Sequence, residues 1–253
     1  MIRNSSWIAQ NMRKSWGFIL GMGMSVVLMA CGNQNTTNNA GESGTMNETA
    51  TDGTVDVNAI AATNPDVIGW LYVPGTNIDY PICQNIDGDD TYYESHECNG
   101  FTQNDKGGIY IEAGNMMDMC DFNTVIHGKT TSDNDMFSEL WNFADEKFFE
   151  ENSQFVIFTP DNMLTYEIWT AYQRDNTSLI REYDFSENDG CESFLQDMKK
   201  DWTTNTNFRS GWEQGVTADN FLVTLTTVDK DHPDKQWVVV GCMIGDAAGT
   251  IDR

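Results

Sequence analysis

The 253-residue chain carries 39 acidic side chains against 14 Lys and Arg, a formal charge of −25, and is 40% hydrophobic and 11% aromatic. That apolar content suffices for one ordinary core, and eight Trp, eight Tyr and thirteen Phe exclude wholesale disorder. The acidity excludes a nucleic-acid binder, because neutralising phosphates needs clustered Lys and Arg. Six cysteines in a chain of this length are too few for a disulfide scaffold.

The first 30 residues contain Arg3, Arg13 and Lys14 and no acid, then the apolar run WGFILGMGMSVVLMA. This run has the length of a signal-peptide core and is short and Gly-interrupted for a transmembrane helix. Its end, Leu28-Met29-Ala30-Cys31-Gly32, resembles a bacterial lipobox. That resemblance implies cleavage before Cys31 and a diacylglycerol on its thiol; the alternative is an uncleaved anchor with an incidental cysteine. Residues 31–56 are rich in Asn, Thr and Gly with almost no large apolar side chain, so they are expected to form a flexible tether. The organisation expected is a signal peptide at 1–30, a tether at 31–56 and a folded domain at 57–253. A lipid followed by a tether places that domain outside the cell, on the outer face of the cytoplasmic membrane.

Within the domain, Val57, Ile60 and Ala61 at helical spacing before Pro65 predict a short first helix. Apolar runs bounded by turn residues then predict eight strands, at 68–73, 78–84, 108–111, 124–127, 154–159, 164–172, 221–228 and 237–244. Helical patterns interrupt them at 136–151 and 188–202, the second with Cys191, Phe194, Leu195 and Met198 on one face. The Met and aromatic residues of the first read as core. The fold class expected is mainly β with helical decorations, a small closed barrel or sandwich.

Seven strings in order carry a more specific likeness: NPDVIGWLYVPGT from Asn64, IDYPICQ from Ile78, DTYY from Asp90, GGIYIE from Gly107, NTVIHGKTTSDNDMF from Asn123, TLTTV from Thr224 and QWVVVG from Gln236. Together they resemble a class B sortase over nearly the whole folded part. The resemblance implies an eight-stranded sortase barrel with an N-terminal helix and a long helix before the penultimate strand. It also implies a cysteine transpeptidase that joins a sorting-signal peptide to a wall or pilin amine, with no cofactor and no metal. In such an enzyme a Cys thiolate attacks the Thr carbonyl, a His gives the leaving amine its proton, and an Arg stabilises the oxyanion.

The sequence departs from the family pattern at each of these positions. The carry-over puts Lys129 where the His stands, Val228 where the Cys stands and Gln236 where the Arg stands, with His127 on a usual Tyr. An isopropyl group cannot attack a carbonyl, a lysine ammonium does not trade its proton at neutral pH, and Gln236 offers an oxyanion a hydrogen bond without a charge. Thr226 shares a strand face with Val228, and His127 shares one with Lys129, so a Thr226–His127 pair is the stand-in considered. Internal threonine is a poor nucleophile. Five cysteines follow Cys31: Cys83, Cys98, Cys120, Cys191 and Cys242. At least one thiol is therefore free, and Cys98–Cys120, both in polar loop context, is the pair expected first.

The string Asp229-Lys230-Asp231-His232-Pro233-Asp234 offers oxygen ligands for Ca²⁺ but lacks the Gly and alternation of a calcium loop, so it reads as a solvated acidic loop near the groove. His96 shows no partner in sequence and reads as a surface or turn residue. The expectation is a lipid-anchored, catalytically inactive sortase-like protein of the Gram-positive envelope. Its candidate partners are a sorting-signal peptide, a pilin or an active sortase, with the membrane reached through Cys31. The alternative is a working transpeptidase with an unrecognised nucleophile.

Overall fold

The computed structural model describes residues 55–99, 102–200, 205–211 and 215–250. The segments expected as signal peptide and as tether up to residue 54, with Cys31, lie outside these residues. The domain opens with α1 (Val57–Ala61), whose N-cap Asp56 accepts a hydrogen bond from the Ala59 amide at 3.0 Å. The strands follow in chain order: β1 (Val67–Tyr72), β2 (Asp79–Cys83), β3 (Ile109–Ile111), β4 (Asn123–His127), β5 (Gln154–Phe158), β6 (Met163–Asp175), β7 (Asn207–Phe208), β8 (Leu222–Val228), β9 (Lys235–Asp246) and β10 (Gly249–Thr250).

Eight of them close into a barrel in the order β9-β8-β4-β3-β2-β1-β5-β6. Closure comes from β6 pairing back onto β9, from Thr165 opposite Gly245 to Asp175 opposite Lys235. The short β7 and β10 extend the sheet beyond the ring. Neighbours around the ring are antiparallel except β2–β3 and β4–β8, which are parallel. All eight strands expected from sequence are these eight, with ends displaced by a few residues. The closed ring leaves its members no free edge to pair with a stray chain.

Period-2 alternation divides the apolar residues between two surfaces. Ile126 on β4, Val223 and Leu225 on β8, and Trp237 and Val239 on β9 point into the barrel with Leu71, Phe155 and Ile157. Each fully buried side chain of this kind contributes about 1.5–3 kcal/mol. Gly241 is required here, because a Cβ would strike the Phe155 ring, which stacks on Tyr166 at 5.0 Å. Outward-facing Val125, Leu222, Val238, Val240 and Cys242 are covered instead by a helix.

That helix is α4 (Asn188–Met198), which follows the single turn α3 (Leu179–Glu182). Cys191, Phe194, Leu195 and Met198 are all buried along it, the face that the sequence periodicity assigns. It precedes β8, the penultimate barrel strand. The 136–151 pattern splits into a 3₁₀ segment, Ser138–Ala144, and α2 (Glu146–Glu151), capped by Asp145, which accepts from the Phe148 amide at 2.8 Å. A helix-capping aspartate in the middle of the run ends one segment and starts the next. Phe137, Leu140, Phe143 and Phe149 from this stretch are core residues.

The expected Cys98–Cys120 bridge is not the one formed. Cys83 at the end of β2 is joined to Cys98, with Cα atoms 5.9 Å apart, while the exposed Cys120 and the buried Cys191 and Cys242 form no disulfide. The loop after β2 folds back over the β1–β2 hairpin, packing Tyr93 and Cys98 against Val57, Val67 and Trp70. Cys83, a strand residue, is thereby the near neighbour. His96 is also more than a surface residue: its ring stacks on Tyr92 at 4.0 Å and its Nδ1 lies 2.8 Å from the Tyr92 carbonyl.

Candidate functional site

The outer face of β4, β8 and β9 is apolar and helix-covered at one end and open at the other. Along β8 the outward residues run Leu222, Thr224, Thr226, Val228, so the face turns polar as α4 leaves it. The open end is a groove of about 390 Å³. Its floor holds Val125, Thr226 and Val228, one wall holds Tyr110, Glu112, Asp90 and Glu94, and the other is the β6–α3 connection with Asn176, Thr177, Ser178, Leu179 and Arg181. Lys129, Val228, Gln236, His127 and Thr226 all line this one groove. Sheet register brings them together: His127 lies opposite Thr226 across the parallel β4–β8 pair, and Val228 opposite Gln236 across β8–β9.

The four polar ones, Gln236, Thr226, His127 and Lys129, are each committed locally. Gln236 is buried, its Oε1 accepts from the Thr226 hydroxyl at 2.8 Å, and its Nε2 donates to the carbonyls of Asp175 at 3.2 Å and Thr177 at 2.8 Å. Its amide is therefore used up in fastening the β6–α3 connection to the barrel, and the hydrogen bond it was expected to offer an oxyanion is already spent. The same bond occupies the Thr226 hydroxyl, which makes no contact with His127 that would activate it.

His127 turns to the opposite wall. Its ring stacks on Tyr110 at 5.2 Å, and its Nε2 sits 3.2 Å from Glu112 Oε1, at ion-pair distance but off the line of a well-formed hydrogen bond. The imidazole holds the Glu112 carboxyl below the usual carboxylate range, against the opposing effect of burial. Burial, with the charges of Glu94, Glu112 and Asp90 around it, pushes the Tyr110 phenol up. Lys129 is exposed, and its Nζ donates to the Asp105 carbonyl at 2.9 Å. Gly128 between them admits no side chain, since a Cβ there would lie within the packing radius of Ile109 and Phe137.

Val228 is 44% exposed and offers the groove an isopropyl group. No cysteine lines the groove among the described residues. Nor does any group of His, Cys, Asp and Glu among them assemble into a metal site. The acidic loop after β8 is solvated as expected from Lys230 to Asp234, but Asp229 is buried, accepting from the amides of Asp231 and His232 and from Gln173 Nε2 at 2.7 Å. It shapes the β8–β9 turn.

The sequence reading missed Tyr110, Glu112 and Arg181. The first two were within reach of it: with Ile109 and Ile111 inside the barrel, alternation turns Tyr110 outward beside His127, its register partner. Arg181 sits on a short turn with no periodicity to place it.

No family model matches the chain. It is 29% identical over 186 residues to Sortase B of Listeria monocytogenes, covering 72% of this chain and 71% of that protein. Among solved structures it superposes on a class B sortase of Streptococcus pyogenes involved in pilus biogenesis with a TM-score of 0.64 and 27% identity, covering 75% of this chain and 98% of that one. It also superposes on a Staphylococcus aureus sortase B–substrate complex with a TM-score of 0.63, 23% identity, and coverage of 74% and 84%. The eight-stranded barrel is the fold of those structures. The chain is homologous to class B sortases, and that homology supports placing it in the sortase family.

Proposed function

We propose that this sortase-like protein is a lipid-anchored binding protein of the Gram-positive cell envelope that holds an extended peptide in its groove without cleaving it. The observation that carries the reading is the groove itself: it keeps a peptide-sized concavity, and the residue presented at its floor is Val228 rather than a thiol. His127 faces Glu112, and the Thr226 hydroxyl is already donated to Gln236 Oε1, so no neighbouring group makes another nucleophile of Thr226. The S. aureus relative was solved with a substrate bound, and the S. pyogenes relative takes part in pilus assembly. Both support a sorting signal, a pilin segment or a partner sortase as the occupant. Anchoring through Cys31 would keep the groove at the membrane surface.

The test is fluorescence anisotropy with labelled sorting-signal peptides, followed by intact-mass analysis after long incubation. Saturable binding with unchanged peptide and unmodified protein is expected. Cleaved peptide, or an acyl adduct on any residue, overturns the non-catalytic reading; no binding of any such peptide overturns the peptide-holding one. Expression in a Gram-positive host with labelled fatty acid is expected to label the wild type and not Cys31→Ala.

A further inference from the structure

The groove wall opposite the β6–α3 connection is built mostly from loop. Asp90, Tyr93 and Glu94 reach it from the long β2–β3 connection, and Tyr110 and Glu112 from β3 and the residue that follows it. β3 is itself lightly held. It pairs with β2 only through Ile82–Ile109 and Cys83–Tyr110, and with β4 only through Tyr110–His127 and Ile111–Ile126, the shortest pairings in the ring. A strand held by so few ladder bonds opens more readily than its longer neighbours. The long β8–β9 pairing, which carries the groove floor, takes no part in this seam.

The Cys83–Cys98 disulfide lies across the seam. Cys83 is the register partner of Tyr110, and Cys98 Sγ lies 3.3 Å from the Ile109 carbonyl oxygen. The covalent loop from 83 to 98 contains Asp90, Tyr93 and Glu94, so one bond fastens both parts of the wall. Hydrogen bonds assist it. The Tyr93 hydroxyl donates to Asp66 at 2.7 Å, and the Tyr93 carbonyl accepts from the Gly108 amide at 2.8 Å. Asn64 Nδ2 donates to the Cys98 carbonyl at 2.7 Å, and the Ala113 amide to Asp90 at 2.7 Å. Each of these is exchanged for a bond to water when the loop lifts, so its net contribution is modest. The covalent closure acts differently: it limits the disorder open to the whole stretch, whichever hydrogen bond breaks.

We propose that this disulfide licenses the groove. With the bond formed, the wall is built and a ligand is held; with two thiols, the barrel persists while the wall and β3 loosen and holding is lost. The two states interconvert by exchange with an external dithiol. Its thiolate attacks Sγ of Cys98, the less buried of the two residues, and the S–S electron pair leaves on Cys83, which takes a proton. The second thiol of the reductant then displaces Cys98 as a thiol, and the reductant ends as its own disulfide. Cys83 is 0% and Cys98 5% exposed, so exchange follows opening of the loop, and the folded oxidised protein keeps its state. That the held ligand is a peptide rests on the reading above; the coupling of wall to bond does not.

The test compares the full chain in three forms: oxidised, reduced with dithiothreitol, and the double variant Cys83→Ala, Cys98→Ala. Non-reducing peptide mapping verifies the state of the bond. Amide hydrogen exchange and the ring NMR signals of Tyr110 and His127 read the wall without any ligand. In both unbridged forms, exchange at 90–94 and 109–112 is expected to quicken by at least about tenfold, with β8 and β9 still protected. The Tyr110 and His127 signals should move with it, since the two rings stack. Affinity for a labelled sorting-signal peptide is expected to fall by at least about tenfold from the oxidised form. Equal exchange and unmoved ring signals in all three forms overturn the proposal. So does a loosened wall with unchanged affinity, and so does loss of protection throughout β8 and β9, which would make the bond a support of the whole barrel. If the wall loosens but no form binds any peptide, the coupling stands and the peptide-holding reading falls.

Discussion

His127 places its Nε2 3.2 Å from Oε1 of Glu112, and that neighbour is the main reason the Glu112 carboxyl sits below its ordinary value of 4.5. A depressed folded-state value means that the stabilisation is present above pH 4.5 and is lost as pH falls through the folded value. Glu112→Gln is therefore expected to flatten the acid limb of stability below that pH, seen in urea midpoints measured as a function of pH. His127→Ala should let the Glu112 titration, followed by ¹³C NMR, climb back towards the ordinary range. A Glu112 titration indifferent to His127→Ala would remove the pairing as its cause.

Val228 is half in solvent, so shortening it opens no cavity. Val228→Cys is expected to change stability by no more than about 0.5 kcal/mol, and to create a thiol that iodoacetamide modifies from the groove. It should not form an acyl adduct with a sorting-signal peptide, because His127 faces Glu112 and Lys129 is held to the Asp105 carbonyl. Peptide mapping locates the alkylated residue, and intact mass reads the adduct.

Gln236 is expected to matter to shape. Gln236→Ala leaves the Thr226 hydroxyl and two backbone carbonyls short of a partner, a loss on the order of 1–3 kcal/mol. Hydrogen exchange should rise at residues 175–178 while the β2–β3 side of the barrel stays protected. Unaltered exchange there would show that the connection is held by something else.

Cys98→Ser opens a covalent loop with a sequence separation of 15, for which roughly 3 kcal/mol of stability is at stake. Cys120→Ser is expected to cost almost nothing, since that thiol is exposed and unbridged. Non-reducing peptide mapping and denaturant titration of the two variants check both statements.

The barrel was legible because its strands are short apolar runs set off by Gly, Asn, Asp and Pro; the inward face of Phe155 and Ile157 or Val223 and Leu225 is what the structure adds. The helix face Cys191–Phe194–Leu195–Met198 was legible through its 3.6-residue period. The convergence of Lys129, Val228 and Gln236 on one groove came from matching short strings, not from periodicity. What stayed hidden was what each side chain does once there. Nothing in TLTTV or QWVVVG says that Thr226 and Gln236 bond each other, since hydrogen bonds across strands depend on register and rotamer. The disulfide was misplaced because polarity was taken as the guide to cysteine pairing, whereas the return of a loop over its own hairpin decided it.

The three hydrogen bonds of Gln236 bear on ancestry and engineering alike. An arginine introduced at 236 would first have to release the Thr226 hydroxyl and the carbonyls of Asp175 and Thr177, and it would arrive opposite the buried guanidinium of Arg174. The change is thus unfavourable on its own and has value only in company with a thiol at 228, so the substitutions are not additive. The two positions are thus unequal: a cysteine at 228 enters with little effect on stability, whereas an arginine at 236 must first undo the fastening of the β6–α3 connection.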